Sequence, residues 1–130
     1  MFTKNTQYRL ADSKDVFRIY EDYDLTARLG WPTVIAERKN KIVGFLSTQD
    51  RKDMVVAGPI EVKLKNKAFV TLRLVTAYDN VLYALGVKEY WFHVDPKDSP
   101  GWLEQVQETG LYTKIEENEG VIWYKRKLVK

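Results

Sequence analysis

The 130 residues predict a mixed α/β (α+β) fold with elements in the order β-α-β-β-β-α-β-α-β-β. Three observations carry that expectation. From about Ala68 apolar residues recur at helical spacing, with Val70, Leu74, Ala77, Tyr78, Val81, Leu82 and Leu85 forming one wide stripe that stops at Gly86. Before that helix, between Thr33 and Val62, β-branched and aromatic runs alternate with short turn signals. After it, Tyr90-Trp91-Phe92-His93-Val94 is a strongly strand-forming run, nearly all apolar, which predicts a central strand covered on both faces.

The remaining elements follow from local signals. Thr6 to Leu10 is a short strand, and Asp12 is placed to cap a helix whose apolar side is Val16, Tyr20, Tyr23 and Ala27. Gly30 with Pro32 is expected to end that helix. Thr33 to Ala36 and Lys41 to Ser47 read as a hairpin around the charged turn Glu37-Arg38-Lys39-Asn40. Met54 to Val62 is a further strand interrupted by Gly58-Pro59, and because proline cannot donate to a ladder the pair marks a bulge, a splay or a strand end. Pro96 and Pro100 bracket a polar loop, Trp102 to Thr109 reads as a short helix closed by Gly110, and Asp95 and Asp98 read as turn or cap residues. Tyr112 to Ile115 and Val121 to Tyr124 flank Glu116-Glu117-Asn118-Glu119-Gly120 as a terminal hairpin.

Composition excludes several functions. With 45% apolar and 13% aromatic residues the chain can fill one core, so one domain spanning 1–130 without a linker is expected. The absence of cysteine excludes disulfides, thiolate zinc sites and cysteine nucleophiles, and a single histidine, His93, cannot build a multi-histidine metal site. The formal charge of +3 is spread along the chain apart from Lys125-Arg126-Lys127, so nucleic acid is not an expected partner. Tyr90, Trp91 and Phe92 lack interleaved cations and read as core rather than as a base-stacking platform. No apolar run approaches the ~20 residues of a membrane span, and a cytoplasmic protein is expected.

The most informative segment is Val62-Lys63-Leu64-Lys65-Asn66-Lys67-Ala68-Phe69, a basic loop feeding a helix N-terminus, where backbone amides and the helix dipole favour a phosphate. Its other reading is the solvated face of an edge strand. With this loop in that element order, the chain resembles the GNAT superfamily of acyl-coenzyme A N-acyltransferases, as a compact divergent member of the kind encoded by phages. The family signature is Gln or Arg, two residues, Gly, one residue, then Gly or Ala; here Lys63, Asn66 and Ala68 take the three positions. A family Gly-Phe pair before the last hairpin corresponds to Gly110-Leu111. The family tyrosine that protonates the leaving thiolate is replaced by Val106, and the asparagine after the fifth strand falls near Ser99.

The resemblance implies a mixed sheet in which Met54–Val62 runs parallel to Tyr90–Val94, with the fourth and fifth strands splayed. It implies acetyl-CoA as acyl donor, an amine acceptor, no membrane partner, and a monomer or homodimer. The pantetheine arm would bond the backbone at Val56 and Gly58, and the pyrophosphate would meet Lys63, Lys65, Asn66, Lys67 and Ala68. Two bases are candidates. His93 titrates closest to neutrality, against the alternative of a core histidine bonded to a carbonyl. Glu61 lies between the strand irregularity and the loop, against the alternative of an exposed carboxylate paired with lysine. Tyr112 is a substitute proton donor, or a packed hairpin tyrosine. The alternative for the whole chain is a GNAT-like protein that binds without catalysing.

Overall fold

The computed structural model describes residues 6–25, 28–51, 53–64, 67–97 and 100–128, excluding the side chains at 50, 100 and 102. The expectations for Ala27, Lys65, Asn66, Asp98 and Ser99 lie outside the described residues. The elements are β1 (Thr6–Leu10), α1 (Ser13–Asp22), β2 (Val34–Arg38), β3 (Lys41–Arg51), β4 (Met54–Val62), α2 (Lys67–Ala84), β5 (Glu89–Val94), α3 (Pro100–Thr109), β6 (Tyr112–Asn118) and β7 (Val121–Lys127). They form a seven-stranded sheet in the order β1-β2-β3-β4-β5-β7-β6, antiparallel except for the β4–β5 pair.

The α2 helix covers one face of this sheet. Val70, Leu74, Val75, Tyr78 and Leu82 are buried against Leu46, Tyr90, Phe92, Val94 and Tyr124. Gly44 permits the close approach, because a Cβ there would lie 3.2 Å from a methyl of Leu74 and from the Glu61 carbonyl. The helix closes with Gly86 at φ 84°, where the Val87 amide donates to Leu82 O at 2.9 Å and the Gly86 amide to Tyr83 O at 3.0 Å. Leu85, expected on the buried stripe, is exposed because it sits in that closing turn.

On the opposite face α1 covers only the N-terminal half, through a second cluster of Ala11, Ile19, Tyr23, Ile35, Ile42 and Phe45. Asp12 caps α1 reciprocally with Asp15, as the position of Asp12 predicts. The helix ends at Asp22, eight residues before Gly30, and its buried side centres on Ile19 while Tyr20 is exposed. Tyr23 leaves the helix in an extended conformation, donates its hydroxyl to Ile42 O at 3.0 Å and stands edge-on to Phe45. A tertiary hydrogen bond and an aromatic contact thus outweigh the helical spacing.

Both hairpins are tighter than their charged stretches predict. Lys39 and Asn40 (φ 51° and 65°) and Glu119 and Gly120 (φ 53° and 83°) form the turns alone. Glu37 and Arg38 belong to β2 and Glu116 to Asn118 belong to β6. Glu37 is held in its strand by ion pairs to Arg9 and Arg18, which also contact the buried Asp15. On β5 only one face is fully buried. Tyr90, Phe92 and Val94 face α2, whereas Trp91 is half-buried and His93 only partly covered, since among the described residues no helix covers this half of the other face.

Candidate active site

The site arises from an irregularity in β4. Leu46 is opposite Ile60 and Thr48 opposite Ala57, so Gly58 and Pro59 together face the single residue Ser47. This is a β-bulge, and Gly58 occupies it at φ 135°, a region that side chains rarely adopt. The β3 side of the bulge is pinned by buried hydroxyls. Thr48 donates to Pro32 O at 2.7 Å and shares a 2.6 Å hydrogen bond with Tyr78, while Ser47 joins Thr33 at 2.6 Å. A Cβ on Gly58 would meet nothing within 4 Å. Gly58→Ala is therefore expected to cost about 1–3 kcal/mol through backbone strain alone; urea unfolding showing no loss would refute it.

Beyond the bulge β4 separates from β5. The register between them is held at Val56 and Trp91, whereas β5 pairs with β7 along its whole length. The gap is a cavity of about 270 Å³ lined by side chains from both faces of the sheet: Tyr90, Phe92 and Tyr112 on the α2 side, and Gln49, His93 and Asp95 on the other. Gly58 borders it, whereas Val56 is fully buried and registered with β5, so the unpaired edge starts after Val56.

The two sides differ in chemistry. The His93 ring lies 5.0 Å from the Trp123 ring, and partial burial, with the nearby Arg51, holds its pKa below the usual histidine value against the opposing charge of Asp95. It is therefore neutral near pH 7 and available as a proton acceptor. On the α2 side burial pushes the Tyr112 hydroxyl up to about 12, so it stays protonated. Tyr112 hydrogen-bonds Tyr90, whose hydroxyl donates to Asp79 at 2.6 Å, and Arg126 donates to the other Asp79 oxygen at 3.1 Å. Asp79 and Arg126 were not among the sequence candidates. The signal for Arg126 was present, since it interrupts the alternating inward set Ile122, Tyr124, Leu128.

A second hollow of about 460 Å³ lies at the N-terminus of α2, lined by Lys67, Ala68 and Thr71 together with Gly101 and Gln105 of α3 and the end of β4. Gln105 donates to Ala68 O at 3.2 Å and ties α3 to this turn. Glu61 borders this hollow and not the cavity that contains His93, so the two base candidates are not brought together. Lys63 is also apart. Its ammonium donates to Asp22 O and sits 4.1 Å from the Tyr23 ring, on the α1 side. Val106 is buried in the core, and Leu111, after Gly110 (φ 67°), is half-exposed. Among the described residues no group of three or more acidic or histidine side chains is arranged to hold a metal, and no helix is long and apolar enough to cross a membrane.

This architecture recurs in solved structures. The ribosomal-protein-S18-alanine N-acetyltransferase of Escherichia coli superposes with a TM-score of 0.74 at 13% identity, covering 96% of this chain and 95% of that one. The chain has the GNAT fold. A putative acetyltransferase of Salmonella typhimurium, solved with its cofactor acetyl-CoA, gives 0.74 at 15% identity over 96% and 95% of the two chains. A putative GNAT-family acetyltransferase of Desulfovibrio desulfuricans gives 0.72 at 8% identity over 95% and 99%. No protein-family model matches the sequence, and no curated protein does. At these identities the likeness establishes the GNAT fold, and the roles of residues rest on the local chemistry above.

Proposed function

We propose that the protein is an acyl-CoA-dependent N-acyltransferase, with acetyl-CoA as donor and an amine as acceptor, and that residues 1–130 form one domain of this activity. The observation that carries the reading is the cavity between β4 and β5, which is lined by His93 from one face of the sheet and by Tyr112 from the other, a proton acceptor and a proton donor. The free edge after Val56, at Gly58, offers backbone groups to a pantetheine arm, in the manner of an added strand. The first turn of α2 with Lys67 and Ala68 faces the hollow suited to a diphosphate, and Lys65 and Asn66 are assigned to it from sequence.

In the reaction an ammonium acceptor first loses one proton to solvent, and the free amine nitrogen attacks the thioester carbonyl carbon. His93 accepts the proton that this nitrogen then sheds, directly or through water, the carbon–sulfur bond breaks, and the thiolate takes a proton from Tyr112. Solvent then restores the Tyr112 proton and removes that of His93. Most of the acceleration comes from holding amine and thioester together in the gap. Glu61 remains a second base candidate only for an acceptor reaching the α2 N-terminus.

Acetyl-CoA at a hundredfold excess over its dissociation constant is expected to stabilise the protein by about 2.7 kcal/mol. The combined change Lys65→Glu and Lys67→Glu should remove that stabilisation by placing like charge beside the diphosphate. A melting temperature that does not respond to acetyl-CoA refutes the proposal. A second reading, a GNAT-fold protein that binds without transferring, is favoured by Val106, a buried valine where the resemblance expects a tyrosine. It would be established by a response to acetyl-CoA without acetylation of any amine.

A further inference from the structure

On the face opposite α2, side chains from three separate strands lie close together, and two of them, Gln49 and His93, line the cavity. Gln49 and Arg51 come from β3, His93 from β5 and Trp123 from β7. The Arg51 side chain reaches across the sheet face. Its guanidinium lies 5.7 Å from the Trp123 ring and donates to Gln49 Oε1 at 3.4 Å, and Gln49 itself lines the cavity. His93 sits against the same indole, at 5.0 Å. Arg51 and His93 thus meet at one indole beside the cavity; His93 and Asp95 line the cavity itself, whereas Arg51 borders an adjoining hollow with Trp31 and Asp53.

The cations here are not equivalent. Arg126, which lies over the Tyr112 ring, is ion-paired with Asp79, and Arg9 and Arg18 are paired with Asp15 and Glu37. Arg51 makes no ion pair with a carboxylate of any described residue. A guanidinium held 5.7 Å from an indole ring and without a carboxylate partner among the described residues can take a planar anion through two parallel hydrogen bonds. The Asp95 carboxylate, close enough to His93 for its charge to act on the ring, favours a cationic group.

We propose that the acceptor is an amine carrying a carboxylate on the neighbouring carbon, an α-amino acid or a molecule that presents one, with Arg51 holding the carboxylate while the ammonium enters between Asp95 and His93. This rests on the acyltransferase reading and adds the chemical class of its acceptor. The Trp123 indole provides the apolar surface for the acceptor's side chain.

Phenylalanine and phenethylamine differ only in the carboxylate and serve as probes. With the protein saturated with coenzyme A, phenylalanine is expected to bind about 10- to 100-fold more tightly by calorimetry, the range of a charge-assisted hydrogen-bonded contact. With acetyl-CoA, kcat/KM corrected for the free-amine fraction should show the same preference. Arg51→Ala should bring the two probes within about threefold of each other, and Arg51→Lys should retain part of the difference, since ammonium keeps the charge without the fork. The proposal is overturned if phenylalanine does not bind, if phenethylamine binds as well, or if Arg51→Ala keeps the preference because the arginine merely packs on Trp123. Failure of the acyltransferase reading is a separate result, seen as a melting temperature that ignores acetyl-CoA.

Discussion

Replacing Leu74 by alanine is expected to lower the free energy of unfolding by about 2–5 kcal/mol, the cost of deleting buried methyl groups and leaving a cavity. Leu74 is wholly buried in the layer between α2 and the sheet, and it meets β3 where Gly44 leaves no Cβ. The site has little freedom to collapse, because the β3 backbone beneath it is already in contact. At this chain length the loss corresponds to roughly 8–20 °C in melting temperature. Leu72 on the same helix is 42% exposed, so Leu72→Ala should change stability by no more than about 0.5 kcal/mol. Similar melting temperatures for the two variants would show that α2 is not seated as described.

Removing the imidazole at His93 should lower kcat about 10- to 100-fold, the lower part of the range for general-base catalysis, with the affinity for acetyl-CoA unchanged. The pH dependence carries the sharper signature. Because burial and Arg51 hold the His93 pKa below its ordinary value, the wild-type rate should fall only as the pH drops below about 6.5, where the ring takes up a proton and stops accepting one. Above that pH the base is already free, and the remaining rise in rate follows deprotonation of the acceptor amine. His93→Ala should abolish the acid limb and keep the amine limb. A folded variant with wild-type turnover and an unaltered acid limb would remove His93 from the reaction.

Elements defined by local rules were legible in the sequence. The α2 stripe and its Gly86 stop, the Asp12 cap, the order of elements along the chain and the irregularity at Gly58-Pro59 all depend on neighbouring residues, whose periodicity and turn chemistry act over a few positions. Elements decided by distant partners were not. Tyr23 reads as helical by spacing and leaves the helix because Ile42 and Phe45 receive it, and Glu37 reads as turn and becomes strand because Arg9 and Arg18 pair with it. Lys63 reads as part of the phosphate loop, but α1 offers its ammonium the carbonyl of Asp22 and the face of Tyr23.

The candidate site divides along the same line. By itself the sequence determined that a strand would be interrupted at Gly58-Pro59, that a basic loop would meet the N-terminus of α2, and that one histidine would lie on the following strand. Each is a property of residue type and order. Only the tertiary structure decided that His93 and Tyr112 stand on opposite sides of one cavity, that Glu61 borders a different hollow, and that Arg51 reaches Trp123 across the sheet face. The reason is sheet register: pairing β5 with β7 sets which side chains share a face, and the bulge opposite Ser47 sets where β4 parts from β5. Residues 42 and 72 positions apart in the chain, His93 and Arg51 from one and Trp123 and Arg51 from the other, come together only once that register is made.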